Sequence, residues 1–382
     1  MRTAVLGGVL IVLGVIAMAT GLLPLGDAAE VAERTWPILL FVVAITVVTE
    51  LAADAGLFGA IAERTARWGA GRAWLLWLFT VLLACVSTIF LSLDTTAVLL
   101  TPVVVLLARH NGLPPLPFAL TTVWLANTGS LLLPVSNLTN LLAEHALGFS
   151  DPARFAALMA LPALVAIVVP CVVLFVVFRR DLLRRYEAGP VPKPDDPVLF
   201  RVSAVVVALL LPALVSGLPV WIPALAAALV LSAVFAVRRR GVLRFSLVPW
   251  QLVLLASGLF LVVETAHSQG LAEALAGVVG TGTDAGALLR LSASGAIGAN
   301  AIDNLPAYLA LEPLADSPER VAALLVGVNA GPLITPWASL ATLLWHQRLV
   351  ALGVEISWAR YALLGLIVAP LVVTAATLAI LV

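Results

Sequence analysis

Long apolar segments follow one another along almost the whole chain, separated only by short polar stretches. A helix of about 20 apolar residues crosses the hydrocarbon core of a bilayer, so each segment is a candidate transmembrane element. Hydrophobic residues make up 62% of the chain and charged residues 11%, whereas soluble domains carry about 25% charged residues. The sequence therefore predicts an all-α polytopic membrane protein and excludes a large soluble domain.

Seven of the apolar segments are uninterrupted, and we expect each of them to cross the membrane once. They are residues 1–24, 36–56, 153–178, 199–215, 220–237, 247–267 and 358–381. Four further segments contain polar residues, Gly or Pro near their centres. We predict re-entrant helical hairpins at 73–109 and 286–314, and discontinuous transmembrane helices at 117–147 and 321–350.

The basic residues predict the orientation of the chain, because Lys and Arg are concentrated on the cytoplasmic side of bacterial membrane proteins. With a cytoplasmic N terminus, all but four of the 21 Lys and Arg residues fall inside. The exceptions are Arg34, Arg154, Arg290 and Arg320. We therefore expect a multi-pass protein of the bacterial plasma membrane, the inner membrane where there are two, with an external C terminus.

The two halves of the sequence resemble each other around their discontinuous helices. At a spacing of 202, residues 127–142 (NTGSLLLPVSNLTNLL) face residues 329–344 (NAGPLITPWASLATLL), and the Asn, Gly and Pro positions coincide. At a spacing of 209, the polar tip of the first hairpin faces that of the second, which pairs Asp94 with Asp303. Matching interruptions in matching places indicate an internal repeat.

The repeat predicts the organisation of the chain. Residues 1–185 form the first transmembrane repeat, and the Pro-rich residues 186–198 form a cytoplasmic linker. Residues 199–218 contain a crossing without a partner, and residues 219–382 form the second repeat. Because one unpaired crossing separates the copies, the second repeat has inverted topology. Inverted repeats with interrupted helices are typical of secondary transporters, whose sites form near the bilayer midplane.

The hairpin tips and helix breaks supply the candidate binding residues. Charged groups at mid-membrane are costly and usually functional, so Asp94 and Asp303 are predicted to bind protons. Alternatively, each caps the helix that returns from its hairpin, a role that does not exclude proton binding. Hydroxyl and amide side chains in the same places are predicted to bind a small polar solute or a partly dehydrated cation. They are Thr95, Thr96, Asn300 and Asn304 at the tips, and Ser136, Asn137, Thr139, Asn140, Thr335, Ser339 and Thr342 at the breaks.

Two further asparagines, Asn127 and Asn329, lie about two turns before the breaks. They are candidates for the same site or, alternatively, for helix packing through buried hydrogen bonds. Glu264 and His267 lie at the end of a predicted span, where solvated side chains are expected.

Several function classes are excluded by what the sequence lacks. There is no Walker-type loop, so any ATPase involved is a separate subunit, and there is no nucleophile elbow or zinc-protease motif. The formal net charge of +0 argues against nucleic-acid binding. Cys85 and Cys171 lie in apolar runs without metal-ligand spacing. We therefore expect a transporter, not an enzyme, with no cofactor and no resident metal.

The motifs resemble the ion transporter superfamily and, more narrowly, the ArsB-type arsenite efflux permeases. The resemblance rests on residues 94–102 (DTTAVLLTP), 113–118 (LPPLPF), 126–142 (ANTGSLLLPVSNLTNLL), 303–307 (DNLPA) and 326–344 (VGVNAGPLITPWASLATLL), and it extends over most of residues 36–381.

Membership of this family implies a function as well as a fold. It implies two inverted repeats, each with a re-entrant hairpin and a discontinuous helix, and export of neutral arsenite or antimonite hydroxide in exchange for protons, which confers arsenical resistance. By position, the implied site contains Asp94, Thr95, Ser136, Asn137, Asp303, Asn304 and Ser339. The first tip is also similar to the Ser-Asn-Thr-type turn of dicarboxylate and sulfate carriers in the same superfamily. The alternative is therefore a Na⁺-coupled carrier of a small dicarboxylate or inorganic anion.

Overall fold

The computed structural model describes residues 2–149, 151–187 and 195–382. All regular secondary-structure elements in these ranges are helices. Within them, extended pairing is limited to one isolated bridge between Arg72 and Arg185. Seven helices are long and apolar enough to cross a membrane, which confirms the all-α polytopic class. Most of the predicted linker, residues 188–194, lies outside the described residues.

The helices of the first half follow the predicted segments. They are α1 (Arg2–Ala19), α2 (Leu25–Asp54), α3 (Leu57–Trp68), α4 (Ala73–Leu91), α5 (Leu93–Thr95), α6 (Thr101–His110), α7 (Leu116–Thr128), α8 (Leu138–Ala146), α9 (Pro152–Val177) and α10 (Arg179–Leu182). A π-helical turn, Thr96–Leu100, joins α5 to α6, so that helical structure runs from Leu93 to His110.

The second half has the same succession of elements after one additional helix, α11 (Pro197–Ala213). They are α12 (Trp221–Arg238), α13 (Trp250–Ser268), α14 (Leu271–Val279), α15 (Ala285–Ile302), α16 (Asn304–Leu311), α17 (Pro318–Leu325), α18 (Leu340–Ala351) and α19 (Trp358–Leu378). A π-helical turn, Val326–Ala330, extends α17. All four interruptions predicted from the sequence are present: between α4 and α5, α7 and α8, α15 and α16, and α17 and α18.

Two short helices, α3 and α14, were not predicted. Each follows the second long helix of its half. Helix α3 carries Glu63, Arg64 and Arg67 beside a buried face formed by Leu57, Phe58 and Ala62, so it is amphipathic. A hydropathy pattern that selects long apolar segments overlooks α3, because its polar face lowers the average hydropathy.

The long helices of the two halves pack crosswise. Helix α1 lies along α13, and α12 lies along α2, so the first helix of each half contacts the second helix of the other half. Glycines permit the close approach of α1 and α13: a Cβ on Gly7 would lie 2.6 Å from Leu255 N, and one on Gly258 would lie 2.9 Å from Gly7 O. Small residues at such crossings let helix backbones touch in a membrane.

Helix α7 lies at the centre of the first half, and every residue from Pro117 to Thr128 is buried. Two of its hydroxyls are bonded to neighbouring helices: Trp77 Nε1 donates to Thr121 Oγ1 at 2.8 Å, and the hydroxyls of Thr101 and Thr122 are 2.7 Å apart. A helix enclosed on all sides can end at mid-depth, because protein groups rather than lipid surround its free backbone groups.

Candidate functional site

The first hairpin turns at Ser92, which has φ 123° and ψ 161°. This conformation is unfavourable for a residue with a Cβ, and it is stabilised here by capping. Ser92 Oγ accepts a hydrogen bond from Thr95 N at 3.3 Å, so Ser92 is the N-cap of the returning helix. Asp94 lies in the first turn of that helix.

The second hairpin turns at Asp303 with almost the same backbone, φ 107° and ψ 155°. Asp303 Oδ1 accepts a hydrogen bond from Leu305 N at 3.2 Å and caps α16. The equivalent residues are therefore Ser92 and Asp303, at a spacing of 303 − 92 = 211. The predicted pairing of Asp94 with Asp303 at a spacing of 209 is wrong, because cap geometry defines equivalence and it places Asp94 opposite Leu305.

The two helix breaks keep the predicted spacing of 202. Asn137 caps α8, and its Oδ1 accepts a hydrogen bond from Thr139 N at 3.4 Å. Ser339 occupies the N-cap position of α18. Its Oγ is buried and has no hydrogen-bond partner among the described residues.

The two tips and the two breaks meet at one cavity of about 360 Å³. Five of the predicted residues line it: Asp94, Asn137, Asp303, Asn304 and Ser339. Most of the remaining wall is apolar and comes from α1, α2, α8, α13 and α18. The polar groups of all four interruptions therefore converge on one space.

Electrostatically, the cavity combines carboxylates with helix N-termini. The helices that begin after Ser92, Asn137, Asp303 and Ser339 all start at its wall. Such N-termini carry a partial positive charge. Among the described residues that line the cavity, none is Lys, Arg or His, so Asp94 and Asp303 are its ionisable groups.

The threonines of the first tip do not reach the cavity, contrary to the prediction. Thr96 is fully buried, and its hydroxyl bonds Ser87 Oγ at 2.9 Å and Thr88 Oγ1 at 2.8 Å. Thr95 Oγ1 donates to Leu91 O at 3.3 Å. Both residues face the interior of the hairpin, because successive residues of a helix point in different directions and Asp94 occupies the cavity side.

Asn329 is fully buried in the π-helical turn after α17 and contacts the first break. Its Oδ1 accepts hydrogen bonds from Asn137 Nδ2 at 2.9 Å and from Thr139 Oγ1 at 3.0 Å. Its Nδ2 donates to Asn140 Oδ1 at 2.9 Å. One amide of the second half therefore holds three polar side chains of the first, and it orients Asn137 at the cavity.

Asn127 makes the corresponding contact in the other direction. Its Nδ2 lies 3.5 Å from Thr342 Oγ1 and donates to Val123 O at 2.9 Å. Thr342 is the counterpart of Asn140 at the spacing of 202, so the same pair of positions meets across the halves twice. Asn127 Oδ1 is buried without a partner in the described parts of the chain, and this contact is the weaker of the two.

In each half, hydrogen bonds join the hairpin to the helix break. Ser136 Oγ donates to Ile89 O of α4 at 2.8 Å. In the second half, Asn300 Oδ1 accepts from Thr335 N at 3.0 Å, and Thr335 Oγ1 donates to Asn300 O at 2.7 Å. Ser136, Asn300 and Thr335 thus support the site without lining the cavity.

Three polar residues of the cavity wall were missed from the sequence: Ser92, Thr46 and Trp337. Ser92 had a usable signal, since serine is a preferred N-cap and precedes the polar tip directly. Trp337 donates from Nε1 to Asn300 O at 2.9 Å, a contact that needs the folded chain. Thr46 lies within α2, where nothing in the sequence distinguishes it from a buried hydroxyl.

Known proteins resemble this chain in sequence and in fold. The citrate transporter family CitMHS matches residues 2–342. The arsenical pump membrane protein of Escherichia coli strain K12 is 32% identical over 396 residues, covering 96% of this chain and 91% of the relative. A putative arsenical pump membrane protein of Bacillus subtilis strain 168 is 24% identical, covering 92% and 89%. Among solved structures, the YdaH transporter of Alcanivorax borkumensis has a TM-score of 0.60 at 18% identity, covering 96% of this chain and 88% of that one, and so has a similar fold.

Proposed function

The chain belongs to the ion transporter superfamily, as a CitMHS family member related to ArsB-type arsenical pump membrane proteins, and on that premise we propose that it exports arsenite or antimonite in exchange for protons. It is a multi-pass bacterial membrane transporter and not an enzyme. The transported species is the neutral trivalent hydroxide. The cavity chemistry carries the proposal: two carboxylates and neutral polar groups share one wall that has no described cationic side chain.

The neutral polar groups suit a small trihydroxide. Each hydroxyl of the solute both donates and accepts hydrogen bonds, as do the amide of Asn137 and the hydroxyl of Ser339. The buried, unpartnered Ser339 Oγ gains in the complex the bond that it lacks among the described residues. A cavity of about 360 Å³ holds such a solute together with water. Thiol capture is not part of the proposal, because neither Cys85 nor Cys171 lines the cavity.

Proton exchange follows from the presence of the carboxylates at the same wall. An ionised carboxylate only accepts hydrogen bonds, whereas a protonated one presents a donor. The hydroxyls of the solute therefore donate more strongly to Asp94 and Asp303 when these are ionised, because protonation removes the negative charge and turns one acceptor oxygen of each carboxyl into a donor. Proton binding then weakens solute binding, which is the competition that an exchanger requires. No ATP is consumed, and an ATPase subunit, where present, adds a second energy source.

We also propose that residues 1–185 and 219–382 are inverted repeats separated by the unpaired crossing at 199–218, with the N terminus in the cytoplasm and the C terminus outside. The spacing of 202 between the caps Asn137 and Ser339 supports the repeat. So do the reciprocal contacts of Asn127 and Asn329 across the halves. In such carriers, one part moves against the other around a central site.

A Na⁺-coupled carrier of a small dicarboxylate or inorganic anion is the second candidate. Two observations favour it: the description of the matching family as a citrate transporter, and the four helix N-termini at the cavity. The paired carboxylates oppose it, because they repel an anion that no described lysine or arginine of the cavity neutralises.

The test is arsenite and citrate handling in cells that lack their own carriers for both. We expect the chain to confer arsenite resistance and to lower cellular arsenite, with no sodium-dependent citrate uptake. Asp94→Asn and Asp303→Asn should both remove the resistance at equal expression. Sodium-dependent citrate uptake without arsenite efflux would replace the first proposal by the second.

A further inference from the structure

A second cavity, of about 80 Å³, lies between the polar N-terminal end of α2, the C-terminal end of α13 and the C-terminal end of α16 in the second hairpin. Its wall shares no residue with the wall of the first cavity and includes Arg34, Glu264, His267 and Glu312. Helix α2 has 30 residues and is roughly 45 Å long, which exceeds the hydrocarbon thickness of about 30 Å. The polar end of α2 therefore reaches the membrane interface, where water has access to this cavity.

Two buried polar atoms of this cavity have no partner among the described residues: His267 Nδ1 and Arg34 Nε. His267 Nε2 lies 3.0 Å from Leu309 O. A carbonyl oxygen only accepts, so Nε2 carries the hydrogen and Nδ1 presents its lone pair to the cavity. The cavity exceeds the ~15 Å³ that one water requires, so it has room for a water that would accept from Arg34 Nε and donate to His267 Nδ1.

The neighbouring charges favour a cation at His267. Arg34 is already paired with Glu312, and Glu312 Oε1 also accepts from Tyr308 Oη at 3.0 Å. Glu264, one turn before His267, has no ion pair in the described parts of the chain and can serve as the counter-charge of a protonated imidazole. The carboxylates carried near this end by the packed elements are Asp27, Glu30 and Glu33 on α2, Glu264 on α13, Glu273 on α14 and Glu312 after α16. Helix α1, which also packs on α13, has its one charged residue at its opposite end.

We propose that His267, facing Arg34 and Glu264 through an ordered water, is a proton-binding site that loads the exchanger from the membrane face where the second hairpin opens. This inference rests on the proton exchange proposed above. Helix α16 lies between the two cavities: its N-cap Asp303 lines the first, and Glu312, about 13 Å further along, lines the second. Histidine suits the task, because its neutral ring presents a nitrogen lone pair that can take up a proton.

The first test measures the proton directly and needs no transport. The chain has four histidines, so ¹⁵N-histidine labelling of the whole protein in detergent gives few resonances, and His267→Gln identifies the one in question. We expect the Nδ1 signal of His267 to move from the neutral to the protonated position between pH 8 and pH 5. Glu264→Gln, which removes the counter-charge, should move that titration to lower pH. A neutral Nδ1 signal throughout the range overturns the proposal.

The second test uses the pH profile of arsenite transport in reconstituted vesicles. His267→Gln keeps a donor for Leu309 O but cannot take up a proton. The matched control is His145→Gln, an exposed histidine of α8 on the same membrane face, since Arg34 also donates to Leu142 O of α8. We expect His267→Gln to lose the acid limb of the profile with arsenite binding retained, and His145→Gln to keep it. An unchanged profile in His267→Gln overturns the proposal. If the unsubstituted protein moves no arsenite, the proposed function fails, and the NMR titration still decides the proton site.

Discussion

At the first hairpin tip a serine caps the returning helix, and at the second tip an aspartate does so with nearly the same backbone angles. The first half thus separates two tasks: Ser92 caps, and Asp94 presents a carboxylate that makes no hydrogen bond within the described protein. The second half combines them, because Asp303 both caps α16 and lines the cavity. Equivalent backbone positions therefore carry unequal chemistry.

The two breaks differ in a similar way. Asn137 is bonded to Asn329 of the other half, whereas the hydroxyl of Ser339 has no partner in the described chain. The first break is fixed by the protein, and the second offers a free group to a ligand. The cavity thus has one polar group that is fixed by hydrogen bonds within the protein and one that has no partner in the described chain.

The largest expected effect is that of Asp94→Asn on proton-driven arsenite efflux, which should fall to background. The amide keeps the shape of the side chain and cannot exchange the proton, and no described hydrogen bond is lost with the carboxylate. Asp303→Asn should lose coupling as well and remain folded, because asparagine is an equally good N-cap. Efflux in membrane vesicles measures both variants, and full coupling in Asp94→Asn would contradict the assignment.

A smaller but clear difference is expected between the two central asparagines. Asn329→Ala removes three hydrogen bonds and leaves buried polar partners, which should lower the free energy of unfolding by about 3 kcal/mol. Asn127→Ala loses one short bond and one long one, with an expected cost of about 1 kcal/mol. Thermal unfolding in detergent compares them, and equal losses would show that the contacts across the halves are equally strong.

The capping residues separate stability from coupling. Ser92→Ala and Asp303→Ala each remove one N-cap bond, and each should cost about 1 kcal/mol of stability. Only Asp303→Ala should also abolish proton-driven efflux, because only Asp303 contributes a charge. Loss of efflux in Ser92→Ala at equal expression would remove the distinction between the two tips.

The smallest effect on stability is expected for Ser339→Ala. The variant removes a buried hydroxyl that has no described partner, so the free energy of unfolding should change by less than about 1 kcal/mol. The KM for arsenite should rise severalfold, since the solute loses a hydrogen-bond partner. Unchanged KM with lowered stability would mean that the hydroxyl is structural.

Much of the fold was predictable because lipid imposes strong constraints on sequence. Spans such as 153–178 are long and apolar, and the polar interruptions at Asp94 and Asn137 are readily recognised within apolar runs. Helix α3 was missed because its polar face lowers the average hydropathy, and α14 was missed because its nine residues are too few to cross a bilayer.

The site was predictable in location and less so in detail. The breaks identified Asp94, Asn137, Asp303 and Ser339, since polar residues at mid-depth have few alternatives. The register of the tips was not predictable, because it depends on which residue adopts the unusual φ. Helix packing by Asn329 was one of two predicted alternatives, but its partners, about 190 residues away in the chain, could not be identified from the sequence. Thr95 and Thr96 are polar residues next to Asp94, and only the folded structure shows that their side chains point away from the cavity.

In the proposed mechanism, solute and protons move in opposite directions through one cavity. Proteoliposomes containing a pH-sensitive dye test it directly when an arsenite gradient is imposed without a pH gradient. We predict a change of lumenal pH that accompanies arsenite movement in the unsubstituted protein and is absent in Asp94→Asn. Arsenite movement with constant lumenal pH would contradict the exchange of arsenite for protons. An undiminished pH change in Asp94→Asn would contradict the role of Asp94 in that exchange.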